Sequence, residues 1–160
     1  MKEANYWIDV LDLEKHPEGG YYKETYRSDE KVNLSEFDGE RNLSTAIFFL
    51  LEEKNYSAFH RIKSDEMWHF YDGSPIVIHM IDEEGNYSTQ KLGKNMDQGE
   101  LLQFVVPAGV WFASEVLEGA FSLVGCTVSP GFDFKDFEMA DASLETLCPE
   151  KRNTIQRLIR

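Results

Sequence analysis

The 160-residue sequence predicts an all-β fold, mainly antiparallel and of sandwich or barrel type, with a short helix at each end. Nine short runs are rich in aromatic and β-branched residues, and turn signals such as "FDGER", "EEKN", "YDGSP", "DEEGN", "MDQGE", "PAG" and "LEG" fall between them. That spacing suits strands joined by tight turns rather than βαβ units. With 42% hydrophobic and 13% aromatic residues, the chain is long enough for one compact domain spanning residues 1–160.

The opening segment reads as a helix because Trp7, Val10 and Leu11 fall at i, i+3 and i+4, and "HPEGG" (16–20) breaks it. The runs at 21–27, 44–51, 56–62, 67–71, 75–81, 86–92, 101–107, 110–116 and 120–128 are the expected strands. In the tail, Ile155, Leu158 and Ile159 have helical spacing and Pro149 suits a first helical turn. No repeat, low-complexity run or linker interrupts the pattern.

Charge narrows the partners. Acidic residues number 29 against 16 basic ones, a net charge of −13, which repels phosphate backbones and anionic membrane surfaces. Nucleic acid and membrane are therefore not expected partners; a small molecule is. An anionic substrate would require cations to converge locally. No stretch has the roughly 18 apolar residues of a membrane helix, and the first residues lack a signal peptide's apolar core, so a cytoplasmic location is expected. Cys126 and Cys148, without CxxC spacing, are expected to be free thiols.

The stretch "HRIKSDEMWHFYDG" (60–73) sets a histidine and a carboxylate in a strand-forming run closed by glycine. It resembles the first motif of the cupins, in which HxH is followed by E and then G; His60, Glu66 and Gly73 keep the spacing, while Ile62 stands for the second histidine. The second cupin motif is matched from Gly99 through Pro107 and Gly109, with Phe112 at its histidine position. The stretches "HPEGGYYKETYRS", "SAFHRIKSDEMWHFYDGSPI", "VVPAGVWFAS" and "LVGCTVSPGFDFKDFEMA" resemble the cupin 5 family, long labelled a domain of unknown function. The resemblance implies a jelly-roll β-barrel (double-stranded β-helix), usually a homodimer, with a pocket inside the barrel. The family's fold is similar to that of the sugar-nucleotide 3,5-epimerase, a metal-free cupin.

With two of the four cupin ligand positions apolar, no metal and no other cofactor is expected. His69 is an odd number of residues from Glu66 and points to the opposite face, whereas alternation leaves the direction of His79 open, and with it a rebuilt His60–Glu66–His79 site. The cupin pattern turns Ala58, His60 and Ile62 inward, and likewise Glu66, Trp68 and Phe70. Two function classes follow. One is a metal-independent sugar or nucleotide-sugar epimerase or isomerase: His60 takes a proton α to a carbonyl, Glu66 orients the imidazole, and Tyr22 or Tyr26 returns a proton. Arg27 is expected to clamp an anionic group, Gln103 to offer an amide, and Trp68, His79 and Phe112 to help wall the substrate. The other is a non-catalytic module for a sugar-like or flat aromatic ligand. A metal-dependent dioxygenase is disfavoured by Ile62 and Phe112. Phe132, Phe134 and Phe137 are expected to cover the mouth, with Asp133 and Asp136 solvated or capping.

Overall fold

A computed structural model describes residues 2–160. The strands are β1 (Glu14–Lys15), β2 (Tyr21–Arg27), β3 (Lys31–Asn33), β4 (Glu40–Asn42), β5 (Thr45–Glu52), β6 (Tyr56–Arg61) and β7 (Asp65–Gly73). They continue as β8 (Ile76–Ile81), β9 (Tyr87–Leu92), β10 (Gln103–Val106), β11 (Trp111–Val116), β12 (Phe121–Ser129) and β13 (Glu138–Met139). Helix α1 (Ala4–Val10) precedes them; α2 (Leu144–Leu147) and α3 (Arg152–Arg157) follow, and Pro149 opens the 3-10 turn leading into α3. All nine anticipated strands are present.

Two sheets face each other, ordered β1-β2-β5-β12-β7-β10 and β13-β6-β11-β8-β9. From β5 to β8 the chain changes sheet at every strand, the winding of a jelly roll. The two sheets are not closed into one continuous barrel.

Alternation along each strand builds three apolar layers. Between the sheets, Phe49, Trp68, Phe70 and Val124 meet Ile76, Ile78, Met80, Phe112 and Val116. Behind the five-stranded sheet, Phe59, Ile81 and Ala113 are covered by Leu144, Cys148, Ile155 and Leu158 of the tail. Behind the six-stranded sheet, Leu13, Leu50, Phe121 and Leu123 pack against Trp7 and Ile8 of α1. Strands buried on both faces carry continuous apolar runs, as "IVIHMI" of β8 shows. Burying each such side chain stabilises the fold by about 1.5–3 kcal/mol. The terminal helices therefore act as lids on the sheets' outer faces.

Four short strands were not anticipated. β1 and β13 have two residues each, and the β3–β4 hairpin lies in the polar segment 31–42, where apolar alternation is missing. Its support is a buried ion pair. Arg41 donates from Nε and Nη2 to Asp136 at 2.7 and 2.8 Å, so Asp136, expected to be solvated or capping, instead ties the segment after β12 to β4. Asp133 does cap, accepting from the Lys135 amide. Both cysteines are buried free thiols. No helix among the described residues is long and apolar enough to cross a membrane.

Candidate functional site

A cavity of about 540 Å³ opens at one end of the inter-sheet space. Tyr22, Glu24 and Arg27 reach it from β2, Thr45 and Ile47 from β5, His60 from β6, Glu66 from β7, and Cys126 and Val128 from β12. Glu14, His16 and Glu18 enter from the N-terminal side, and Phe132, Asp133, Phe134 and Phe137 close the mouth. The three phenylalanines meet edge to face at centroid separations of 5.0–6.2 Å, the covering role expected of them.

His60 is fixed by its neighbours. Nδ1 lies 2.7 Å from the carbonyl of Ala58, which only accepts, so Nδ1 carries the proton and Nε2 keeps its lone pair. The ring sits between Phe112 and Phe137, at 4.1 and 5.3 Å. The carboxylate beside it is that of Glu18, with Oε2 3.3 Å from Nδ1, rather than that of Glu66. Because the Nδ1 proton is directed to Ala58, Glu18 Oε2 has no hydrogen-bond partner among the described residues. Glu18 enters through the "HPEGG" turn. Gly19 has φ +113°, and a Cβ there would run into the carbonyl of Tyr56, so only glycine brings the chain this close to β6. Arg160 secures the same turn by donating from Nε to the Glu18 carbonyl at 3.2 Å.

Burial dominates the electrostatics. It lowers the His60 pKa to about 4, with the Ala58 carbonyl opposing and His16 adding to the fall. Burial likewise takes His16 to about 4. Glu66 moves the other way, to about 7, because burial outweighs the hydrogen bond from the Cys126 thiol. Glu18 rises well above the carboxylate range through burial and the nearby Glu66, against the opposing effects of Ser57 and Arg160. At neutral pH the imidazoles are uncharged, and burial favours the protonated form of Glu18. Glu66 is then the group poised to exchange a proton.

Other anticipated residues fall on both sides of the cavity wall. Tyr22 and Arg27 line it, but Tyr26 is 56% exposed. The β2–β5 register shifts between Glu24 and Tyr26; the extra residue, Thr25, reverses the alternation and swings Arg27 inward in place of Tyr26. Trp68 and Phe112 face inward yet belong to the apolar core, where Phe112 backs the imidazole. Gln103 points away, its amide 3.1 Å from His69 Nδ1, while His69 Nε2 meets Thr127. His79 is also outside. Tyr87 donates to its Nδ1 at 2.7 Å, and its Nε2 donates to Glu115 at 2.9 Å, a carboxylate also held by Arg157 of α3. Contacts with the tail thus decide the direction that β8 alternation left open, and a site of His60, Glu66 and His79 does not form. Glu14, His16, Glu18, Glu24, Thr45 and Cys126 are the polar members the sequence did not flag. Nothing in a turn motif shows which wall it touches.

The cupin ligand positions do not suit a metal here. Ile62 and Phe112 bring no donor atom, the Phe112 ring packs against the imidazole, and His60 Nδ1 is engaged with a carbonyl. No three His, Cys, Asp or Glu side chains among the described residues are grouped to hold an ion.

Residues 5–140 match the family described as Cupin superfamily (DUF985). A structure from Shewanella oneidensis is 42% identical, has a TM-score of 0.91, and overlaps 100% of this chain and 99% of its own. A hypothetical protein from Leishmania major is 36% identical with a TM-score of 0.92, covering 99% of each chain. An uncharacterized protein of Saccharomyces cerevisiae is 34% identical over 144 residues, 81% of this chain and 71% of the yeast protein.

Proposed function

The chain belongs to this DUF985 family of the cupin superfamily, and on that footing we propose that it is a metal-independent isomerase or epimerase acting on a small molecule held between the sheets. The observation that carries this reading is Glu66, a carboxyl facing a cavity of about 540 Å³ with its pKa near 7. A general base is most effective when its pKa lies near the working pH, and His60, at about 4, is the weaker base.

In the proposed reaction Glu66 takes the proton from a carbon next to a carbonyl, and the electron pair moves onto the carbonyl oxygen as an enolate. Tyr22 returns a proton to the carbon from the β2 wall, and exchange with water restores both groups. His60 Nε2 accepts a hydrogen bond from a substrate hydroxyl and so orients the ring. A second reading, a binding module without turnover, is favoured by the phenylalanine mouth, which shields a ligand whether or not it reacts.

The two readings separate in deuterium oxide. Small aldoses, ketoses and amino ketones incubated with the protein should gain deuterium beside the carbonyl, as read by proton NMR. Glu66→Gln should slow that exchange by about 10²–10⁴-fold, with His60→Ala also impaired. Exchange by Glu66→Gln at the parent rate removes the catalytic assignment. Ligand-induced stabilisation without exchange favours the binding module.

We also propose that two chains pair through the β10 edge. Leu101, Leu102 and Val105 lie exposed along that edge, and Met96 is exposed nearby. Sedimentation equilibrium should return twice the 18.5 kDa chain mass, and Val105→Lys should return it to the single-chain value. A monomeric parent rejects the pairing.

A further inference from the structure

We propose that the cavity selects small molecules bearing a protonated amine and turns away phosphorylated ones. The proposal rests on the reading of this cavity as the functional site and names the substrate class it takes.

Charge is the first support. Five carboxyl side chains line the cavity, from Glu14, Glu18, Glu24, Glu66 and Asp133, and Arg27 is the one lining cation among the described residues. Its guanidinium is already committed. Nη2 and Nε donate to Glu24 at 2.6 and 3.3 Å, and Nη1 donates to Asn42 Oδ1 and to the Phe132 carbonyl at 3.0 Å each. A diphosphate or sugar phosphate would find no uncommitted cation there, since both cavity histidines are uncharged at neutral pH. The net charge of −13 adds a field of the same sign.

An independent observation points to a donor-bearing ligand. Glu18 is 7% exposed, and its Oε2, buried in the wall, has no hydrogen-bond partner among the described residues. Such an acceptor costs the fold its desolvation without return. An ammonium supplies three donors and the compensating charge, and it has no lone pair to repel the carboxylates. The faces of Phe132, Phe134 and Phe137 at the mouth suit a passing cation as well. On binding, the ammonium favours the charged form of Glu66 and displaces the proton that its pKa of about 7 lets it hold. Binding therefore releases protons.

The test uses the full chain and a matched panel at millimolar concentration. Metabolite-sized primary amines are each paired with their N-acetyl and phosphorylated counterparts, glucosamine, N-acetylglucosamine and glucosamine 6-phosphate among them. Amines are expected to raise the melting temperature while their counterparts do not. Titration calorimetry in buffers of differing ionisation enthalpy should show proton release. Glu18→Gln and Glu66→Gln should each weaken amine binding by about tenfold or more; the pair guards against one variant misfolding, which circular dichroism would show. Stabilisation by the phosphorylated or N-acetyl members, by no member, or amine binding undiminished in both folded variants overturns the proposal. Amine binding without deuterium exchange sinks the isomerase reading alone; exchange confined to neutral or phosphorylated compounds sinks this one.

Discussion

Replacing Arg41 with Ala is expected to destabilise the chain by about 3–5 kcal/mol, because it strands the Asp136 carboxylate in a buried position without its partner. Arg41 is 3% exposed and Asp136 8%, and the pair is joined by two parallel bonds of 2.7 and 2.8 Å. Nη1 also donates to the carbonyls of Asp38 and Glu40, so the guanidinium closes the β3–β4 turn as well. For a chain of this size the melting temperature should fall by about 10 °C. Arg41→Lys should recover little, since an ammonium does not reproduce the fork. The double change Arg41→Met with Asp136→Leu should recover much of the loss, because no charge is then left unpaired. A single Arg41→Ala substitution that leaves urea unfolding unchanged removes the ion pair from the account. The site should register the same change, because Phe134 and Phe137 flank Asp136 at the cavity mouth.

The second large effect concerns Glu66. Its pKa rises from 4.5 to about 7 on folding, so between those values the folded chain holds a proton that the unfolded chain has released. Stability is therefore lost as pH rises through this window, reaching about 3 kcal/mol above pH 7. Glu18, raised in the same direction by burial and the nearby Glu66, adds to the loss. His16 and His60 oppose this on the acid side. Each falls from 6.5 to about 4, so stability is lost as pH drops below 6.5. The expected profile is thus nearly level between about pH 4.5 and 6.5, where the two kinds of group offset one another, and declines on the alkaline side. Glu66→Gln should stabilise the chain at pH 8 while slowing proton exchange, a trade of stability for function. Urea unfolding across pH checks the sign. A parent whose stability rises between pH 6.5 and 8 refutes the assignment.

The strands were legible because apolar periodicity and turn residues agree along most of the chain, and even the helical tail showed in Ile155 and Leu158. Inward and outward faces were legible where alternation runs undisturbed, as for His60, Ile62, Glu66 and Trp68. They were not where the outcome depends on something distant. His79 turns outward to meet Tyr87 and Glu115, and Glu115 is held by Arg157, 78 positions further along than His79. Glu18 looked like part of a helix-breaking turn because that is its local role; its place beside His60 depends on how closely Gly19 approaches β6. Asp136 sits among charged neighbours, so its burial against Arg41 leaves no mark in composition. The pKa order of His60 and Glu66 also reverses the local expectation, since burial raises a carboxyl and lowers an imidazole.

The extra residue in β2 reaches beyond the local backbone. Whether Thr25 stands outside the ladder, not the identity of any wall residue, settles which group faces the interior: with the bulge Arg27 lies opposite Thr45, and with Thr25 paired to Ala46 Tyr26 would take that place. Such a shift would swap those two groups while leaving the other lining side chains in place. It would trade the one interior cation among the described residues for a weak acid and so change the polarity the pocket offers a guest. Ligand preference in this architecture can therefore drift by one step of pairing, with no substitution inside the pocket.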